Sequence, residues 1–165
     1  MNEIAELVRR LSLGVYVVGV AHGDQRNAFT AAWVMPASFD PPLLALSLNP
    51  LNVSADLLHA SGAFTVSVVK RGQIELARQF GTRSGRDHDK LAGVAWQPGR
   101  SGAPVLSDAL AYFDCELTER VVAGDHELIV AHIVGGRILD PEAEPLLYTE
   151  TGDLDGSSML YPARF

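Results

Sequence analysis

One segment of the sequence carries side chains suited to holding a phosphate. Residues 47–54 place Ser47, Leu48, Asn49 and Ser54 where a short apolar run leads into a helix start. The free N–H groups at a helix N-terminus can hold a phosphate without a large basic surface, and hydroxyl and amide side chains add further donors. An ordinary helix cap uses the same residue types, and the local pattern by itself favours that simpler interpretation.

A second segment, residues 27–42, combines a strand pattern with small side chains. Thr30, Ala31 and Ala32 are small, so a flat ligand could lie directly on the main chain and use its N–H and C=O groups. A core strand that enters a proline turn explains the same residues, because close packing also selects small side chains. The local pattern favours the core strand.

Two further positions bear side chains that could act on a ligand. His126 follows Gly124 and Asp125, so its titratable imidazole could lie exposed at the rim of a cleft. A surface histidine in a hairpin turn is the alternative. Residues 83–90 form a charged, Gly-containing stretch that ends at Lys90, and the usual interpretation of such a stretch is a solvated loop.

Several common catalytic sites are excluded by the sequence. It has no Gly-x-Gly-x-x-Gly motif after a strand, no phosphate loop that ends in Gly-Lys-Ser/Thr and no Gly-x-Ser-x-Gly nucleophile elbow. His126-Glu127 resembles the start of a zinc-protease helix, but Val130 stands where the second histidine is needed. Cys115 is the only cysteine, so an intrachain disulfide and a multi-thiolate zinc site are impossible.

The size and charge of the chain narrow the class of protein. The 165 residues fit a single domain that spans residues 1–165. A net charge of −7 disfavours a nucleic-acid partner and an anionic membrane surface. No apolar run reaches the roughly 18–20 residues of a membrane span, and residues 1–13 lack the order of a signal peptide. We therefore expect a cytoplasmic protein that binds neither nucleic acid nor membrane.

Hydrophobic periodicity predicts a mainly β protein with short helices that must position these side chains. Helices are predicted at residues 3–11, 52–60 and 73–80. Six or seven strands are predicted, at residues 13–20, 27–35, 43–48, 63–69, 111–122, 127–139 and near 146–148, with a turn or helical stub at 105–110. The strand pairs at both ends of the chain read as antiparallel, which is typical of a sandwich or barrel.

The order of several short motifs resembles the flavin reductase-like proteins, which have the FMN-binding split-barrel fold. The matching pieces are Thr30-Ala31-Ala32, Ser38-Phe39-Asp40-Pro41-Pro42, Leu46-Ser47-Leu48-Asn49, Gly62 to Val68, Leu76 to Phe80, Asp89 to Gly93, Gly102 to Leu106, Ala109 to Ala111, Cys115-Glu116 and Gly124-Asp125-His126. Trp33-Val34-Met35 followed by Ala37-Ser38-Phe39 is closer to the reductase-like modules that are fused to flavodiiron proteins.

This resemblance implies a fold and a set of site residues. The implied fold is an antiparallel split β-barrel of the Greek-key type, with the flavin at a two-fold dimer interface. The residues implied to line the isoalloxazine ring are Thr30, Ala31, Ala32, Trp33 and Ser38. Those implied to reach the ribityl chain and phosphate are Ser47, Leu48, Asn49 and Ser54, with Lys90 as the local cation and His126 as the catalytic residue near the hydride donor.

The resemblance also implies a function, with two alternatives. The first expectation is a homodimeric flavoprotein that binds FMN and transfers hydride to it from NADH or NADPH, with a monooxygenase as a possible acceptor of reduced flavin. The first alternative is an FMN-binding electron relay without its own NAD(P)H site. The second alternative is a non-catalytic barrel that binds another flat ligand or a protein partner.

Overall fold

A computed structural model describes residues 2–82, 84, 85 and 89–165. Much of the predicted charged loop, namely Arg83, Arg86, Asp87 and His88, lies outside these described residues. The helices are α1 (Glu3–Val8), α2 (Val53–Ser61) and α3 (Ile74–Thr82). The strands are β1 (Tyr16–His22), β2 (Gln25–Ala31), β3 (Val34–Ser38), β4 (Leu43–Leu48), β5 (Ala63–Val68), β6 (Trp96–Pro98), β7 (Pro104–Leu106), β8 (Ala111–Ala123) and β9 (His126–Ile138).

Seven of the strands form one antiparallel sheet in the order β2-β1-β5-β8-β9-β4-β3, and β6 pairs with β7 separately. Strand β4 lies near one edge of the sheet. After β4 the chain passes through α2 to β5, which pairs with β1 near the other edge. The expected mainly β, antiparallel fold with short helices is confirmed. Among the described residues, no helix is long and apolar enough to cross a membrane.

Two apolar clusters lie on opposite faces of β1, which explains why its central residues are buried throughout. Val18 belongs to the cluster that contains Leu58 of α2, and Val17 belongs to the cluster that contains Phe80 of α3. Successive strand side chains point to opposite faces, so one strand can support both helices. Both helices also contact β2: Ser54 of α2 accepts a hydrogen bond from Asn27, and the Ala77 carbonyl of α3 accepts one from Thr30.

Helix α2 begins and ends where the sequence predicts, and capping residues explain both ends. The Asn52 side chain accepts a hydrogen bond from the backbone N–H of Ser54 at 2.9 Å, and Gly62 ends the helix in the left-handed conformation with φ of 65°. An Asn cap satisfies one of the free N–H groups of the first turn, and Gly adopts positive φ without a Cβ penalty. The strand predicted at residues 43–48 is also observed, as β4.

Several predicted elements differ in the structure. Helix α1 ends at Val8 rather than at residue 11, and β1 spans Tyr16–His22 rather than residues 13–20. The strand predicted at 27–35 is two strands, because β2 ends at Ala31 and β3 begins at Val34. Pro36 lies inside β3, which can contain a proline because β3 is an edge strand with a bulge between Pro36 and Ser38. Residues 104–106 form β7 rather than a helical stub, and the region near 146–148 makes only isolated bridges before a 3₁₀ turn at Tyr148–Thr151.

Candidate functional site

A cleft of about 290 Å³ opens where β2, β4, α2 and α3 meet. Its walls are formed by the end of β2, the segment between β4 and α2, and the end of α3. Lys90 and two described residues that precede it complete the walls. The described lining residues are Phe29, Thr30, Asn49, Leu51, Asn52, Val53, Phe80, Gly81, Ser84, Gly85 and Lys90. Three of the residues predicted for ligand binding, namely Thr30, Asn49 and Lys90, are therefore brought to one cleft.

Lys90 supplies the positive charge of this cleft, and it is the only charged side chain among the described lining residues. The residue is only 5% exposed, and its ammonium donates to the backbone carbonyl of Phe80 at 3.1 Å. The Gln79 side chain donates to the Lys90 carbonyl at 2.9 Å and fixes the backbone there. Burial lowers the pKa of Lys90, because desolvation penalises the charged form. An anion beside this ammonium would relieve that penalty.

The N-terminus of α2 borders the same cleft, but Ser54 itself faces inward. Its hydroxyl is fully buried and accepts a hydrogen bond from the Asn27 side-chain amide at 2.8 Å. Asn49 is exposed, and its side-chain oxygen accepts from the backbone N–H of Leu51 at 3.0 Å. The structure thus places Asn49 on the cleft wall and Ser54 behind it, where the Asn27–Ser54 bond fastens α2 to β2.

The predicted ledge of small residues lies beside the cleft and beneath the C-terminal segment. The Thr30 hydroxyl donates to the Ala77 carbonyl of α3 at 2.7 Å. Thr30, Ala31 and Ala32 also line a smaller cavity of about 70 Å³, whose other lining residues include Tyr148 and Asp155. The ledge of Thr30, Ala31 and Ala32 therefore adjoins the cleft at Thr30, and the C-terminal segment covers one of its sides.

His126 packs against Trp33, a contact that links residues far apart in the sequence. The two ring centroids lie 5.1 Å apart with planes at 43°. The backbone N–H of Ser47 donates to the Trp33 carbonyl at 3.0 Å, and β9 begins alongside the end of β4, so this pair lies near the end of β4 that leads to Asn49. Sequence reasoning named His126 and Trp33 separately but had no signal for their contact.

Carboxylates flank His126 on both sides along the chain. Its Nδ1 lies 2.7 Å from the Asp125 carboxylate, and this hydrogen bond lowers the pKa of Asp125. Glu127 pairs with His59 of α2 at 2.6 Å. With Nδ1 engaged by Asp125, Nε2 is the nitrogen left for another partner. Neither carboxylate was predicted as part of the site.

Three other predicted residues, Ser38, Ser47 and Leu48, are not among the described lining residues of the cleft. Ser38 stands at the far end of β3 from Trp33, about 16 Å away at the rise of an extended strand. Ser47 is half-buried within β4, and the Leu48 side chain is buried in the core, so it offers a ligand only its backbone. Cys115 is buried, and desolvation raises its pKa to about 12, which keeps the thiol protonated.

Comparison with known proteins identifies the family. Residues 8–155 match the model of the flavin reductase like domain. The chain belongs to this family. Its sequence is 33% identical over 142 residues to putative diflavin flavoprotein A 3 of Nostoc sp., covering 86% of this chain and 25% of that protein. It is 34% identical to the high molecular weight rubredoxin of Moorella thermoacetica, over 84% of this chain and 61% of that protein.

These relatives confirm the predicted likeness to reductase-like modules of larger redox proteins. The chain spans about a quarter of the length of the diflavin flavoprotein and under two thirds of the rubredoxin. Solved structures confirm the flavin reductase split-barrel fold. An NADH:FAD oxidoreductase of Streptomyces globisporus has a TM-score of 0.83 at 27% identity, covering 90% of this chain and 89% of that one. An FMN-binding protein of Thermus thermophilus has a TM-score of 0.78 at 31% identity, with 87% and 85% covered.

Proposed function

We propose that this flavin reductase-like domain binds FMN in the 290 Å³ cleft and catalyses hydride transfer to it from NADH or NADPH. The observation that carries the proposal is the buried ammonium of Lys90, which lines the cleft with one carbonyl partner in the described structure. A buried, incompletely paired cation is costly unless an anion joins it. The phosphate of FMN meets this requirement.

The donors around the cleft fit such a phosphate. In the first turn of α2, the N–H groups of Ser54 and Ala55 donate to the side chain and the carbonyl of Asn52. The N–H of Val53 is the first-turn donor that we assign to the phosphate, since Val53 lines the cleft at the helix N-terminus. Lys90 lines the same cleft. The proposed role of Lys90 and the start of α2 is to hold the phosphate, with Asn49 within reach of the ribityl chain.

The proposed role of His126 is to orient the hydride donor. When bound, the flavin supplies the redox chemistry by accepting the hydride, and imidazole cannot carry one. The Asp125 carboxylate fixes Nδ1, and the Trp33 ring limits rotation of the imidazole. Nε2 is then available to the carboxamide of a nicotinamide. Such positioning can be worth a large rate factor when donor and acceptor must align.

We propose further that the working unit is a homodimer. Strand β3 is a sheet edge, and Met35 and Phe39 on and beside it are 59% and 104% exposed. Val122, near the end of β8, is 81% exposed. Apolar surface of this kind is typical of an interface. The resemblance to flavin reductase-like proteins implies a flavin at a two-fold interface, and Ser38 at the end of this edge strand would lie at such an interface.

A second candidate function, an electron relay without an NAD(P)H site, is favoured by one observation. The curated relatives described above are longer redox proteins in which this chain corresponds to one part. In that case reducing equivalents would come from another part or from a partner protein. A monooxygenase that accepts reduced flavin is the corresponding partner under the first proposal.

The experiment that separates these functions measures FMN binding and NAD(P)H oxidation independently. We expect the purified chain to bind FMN by fluorescence titration and to oxidise NADH or NADPH anaerobically with bleaching of the flavin absorbance. FMN binding without oxidation of either nucleotide would favour the relay. A protein that binds no flavin would overturn both functions and leave the non-catalytic barrel.

A further inference from the structure

The side chains of His59 and Glu127 join the last turn of α2 to the start of β9. The His59 Nε2 lies 2.6 Å from a carboxylate oxygen of Glu127, and the two side chains are 24% and 17% exposed. A short hydrogen bond to a carboxylate is stronger than one between neutral groups, and partial burial protects it from competition with water. This bond therefore holds the start of β9 against α2.

Glu127 is the residue at which β9 becomes paired with strands on both sides. Its partners in the sheet are Leu48 of β4 and Val122 of β8. His126, one residue earlier, pairs with Ala123 of β8 where the hairpin turn begins. The direction in which the His126 side chain leaves the sheet therefore depends on how firmly Glu127 is held.

The side chains of His126 and Glu127 leave β9 on opposite faces, because successive residues of a strand alternate. On the Glu127 face, Ile129 is fully buried and belongs to the same apolar cluster as Leu58 of α2. On the other face, the His126 ring packs against Trp33 with the ring centroids 5.1 Å apart. The start of β9 is thus held between α2 on one face and Trp33 on the other.

Helix α2 connects this contact to the proposed FMN cleft. Val53, its first residue, lines the cleft, and the Ser54 hydroxyl accepts the hydrogen bond from Asn27 of β2. His59 follows Val53 by six residues in the same helix, which is about 9 Å at the helical rise per residue. A helix of this length is rigid, so its two ends move together. Helix α2 therefore fixes the start of β9 relative to the residues proposed to hold the phosphate.

We propose that His59 is a positioning residue for hydride transfer and that it acts through Glu127 on His126. The inference rests on the proposed function, which assigns FMN to the cleft and the hydride donor to His126. The Nε2 of His59 is engaged by Glu127, and His59 is not among the described lining residues of the cleft. Its contribution is to keep the His126 imidazole against Trp33, at a fixed place relative to the phosphate-binding end of α2.

The kinetic test removes the His59 side chain and measures FMN binding and hydride transfer separately. We expect His59→Ala to bind FMN as the parent does. It should oxidise NADH or NADPH about tenfold more slowly in anaerobic single turnovers, since a misplacement of about 1 Å can cost roughly a hundredfold in rate. His59→Gln should recover most of the rate, because its amide nitrogen can replace Nε2 as the donor to Glu127.

Two comparisons establish whether the slowing acts through His126. In a His126→Ala background, His59→Ala should cause no further slowing, because the side chain that it positions is already absent. The matched control His22→Ala removes an exposed histidine at the end of β1, which pairs with β2 and β5, and should leave the rate unchanged. Slowing by the same factor in the parent and in the His126→Ala background would overturn the inference.

NMR of the full chain without added flavin separates this inference from the proposed function. The ring current of Trp33 shifts the imidazole C–H resonances of His126, which are assigned by their loss in His126→Ala, and Trp33→Leu gives their unshifted position. We expect His59→Ala to move these resonances toward the Trp33→Leu position and His59→Gln to restore them.

Unmoved His126 resonances in folded His59→Ala, with either a parental rate of hydride transfer or weaker FMN binding, would overturn the positioning role and leave the reductase in place. Moved resonances in a chain that binds no FMN and oxidises neither nucleotide would overturn the proposed reductase, while supporting the link from His59 to His126.

Discussion

Replacing Lys90 with methionine tests the electrostatic basis of the proposed site. Methionine fills a similar volume without charge. The ammonium of Lys90 has three donors, and among the described residues its partner is the Phe80 carbonyl at 3.1 Å. A hydrogen bond to a charged group contributes roughly 1.5–3 kcal/mol. Loss of about 2 kcal/mol corresponds to a roughly 30-fold weaker FMN complex. Riboflavin, which lacks the phosphate, should bind both proteins equally.

The assay is fluorescence titration of FMN and riboflavin against Lys90→Met and a matched control, Lys70→Met. Lys70 is the only other lysine in the sequence, and it pairs with Asp108 and Asp140 away from the cleft. We expect Lys70→Met to leave both flavin affinities unchanged. Equal weakening of FMN and riboflavin by Lys90→Met would show that the side chain shapes the cleft rather than pairing with a phosphate. No change in FMN affinity would refute the assignment of Lys90.

The lowered pKa of Lys90 adds a prediction about stability. The pKa of Lys90 in the folded chain lies below the ordinary 10.5. Between these two pH values the unfolded chain therefore binds more protons at Lys90 than the folded chain does. The contribution of Lys90 to the free energy of unfolding consequently rises with pH across that range. At neutral pH the buried charge opposes folding, so Lys90→Met should be at least as stable as the parent in urea. Its advantage should shrink as the pH approaches 10.5.

Three further predictions concern His126, Asp125 and Ser54. His126→Ala should leave FMN affinity nearly unchanged and slow NAD(P)H oxidation, as measured by stopped-flow absorbance; equal oxidation rates would make His126 a surface residue of the turn. The same substitution should return the lowered pKa of Asp125 toward its ordinary value, as followed by carboxyl NMR titration, and a pKa that stays low would locate its cause elsewhere. Ser54→Ala should lower the free energy of unfolding in urea by about 1–3 kcal/mol, because the buried Asn27 amide loses its acceptor; undiminished stability would mean that this hydrogen bond is not formed.

The parts of the fold that local chemistry specifies were predictable from the sequence. Asn52 and Gly62 marked the ends of α2, and alternating or continuous apolar runs marked β4 and β5. The break between β2 and β3 was not predictable, because Ala32-Trp33 has no turn residue. The position of Pro36 inside a strand depends on β3 being a sheet edge, which is a property of the whole topology.

The site was predictable only where its parts are local or resemble a known motif. Lys90 and Asn49 were named from the sequence, and both line the cleft. The contact between Trp33 and His126 spans residues that only the pairing of β4 with β9 brings together, and no periodicity encodes that pairing.

An acidic chain can hold a phosphorylated ligand when a cation in the binding cleft has a low-dielectric position. The net charge of −7 acts through solvent and is screened over about 10 Å at ordinary ionic strength, whereas the Lys90 ammonium acts at contact distance from a buried position. Burial also makes the protonation of Lys90 depend on the ligand, because a bound phosphate favours the charged form and raises the pKa of Lys90. Proton binding and FMN binding are therefore coupled, and FMN affinity should fall as the pH rises toward 10.5, with no comparable fall for riboflavin.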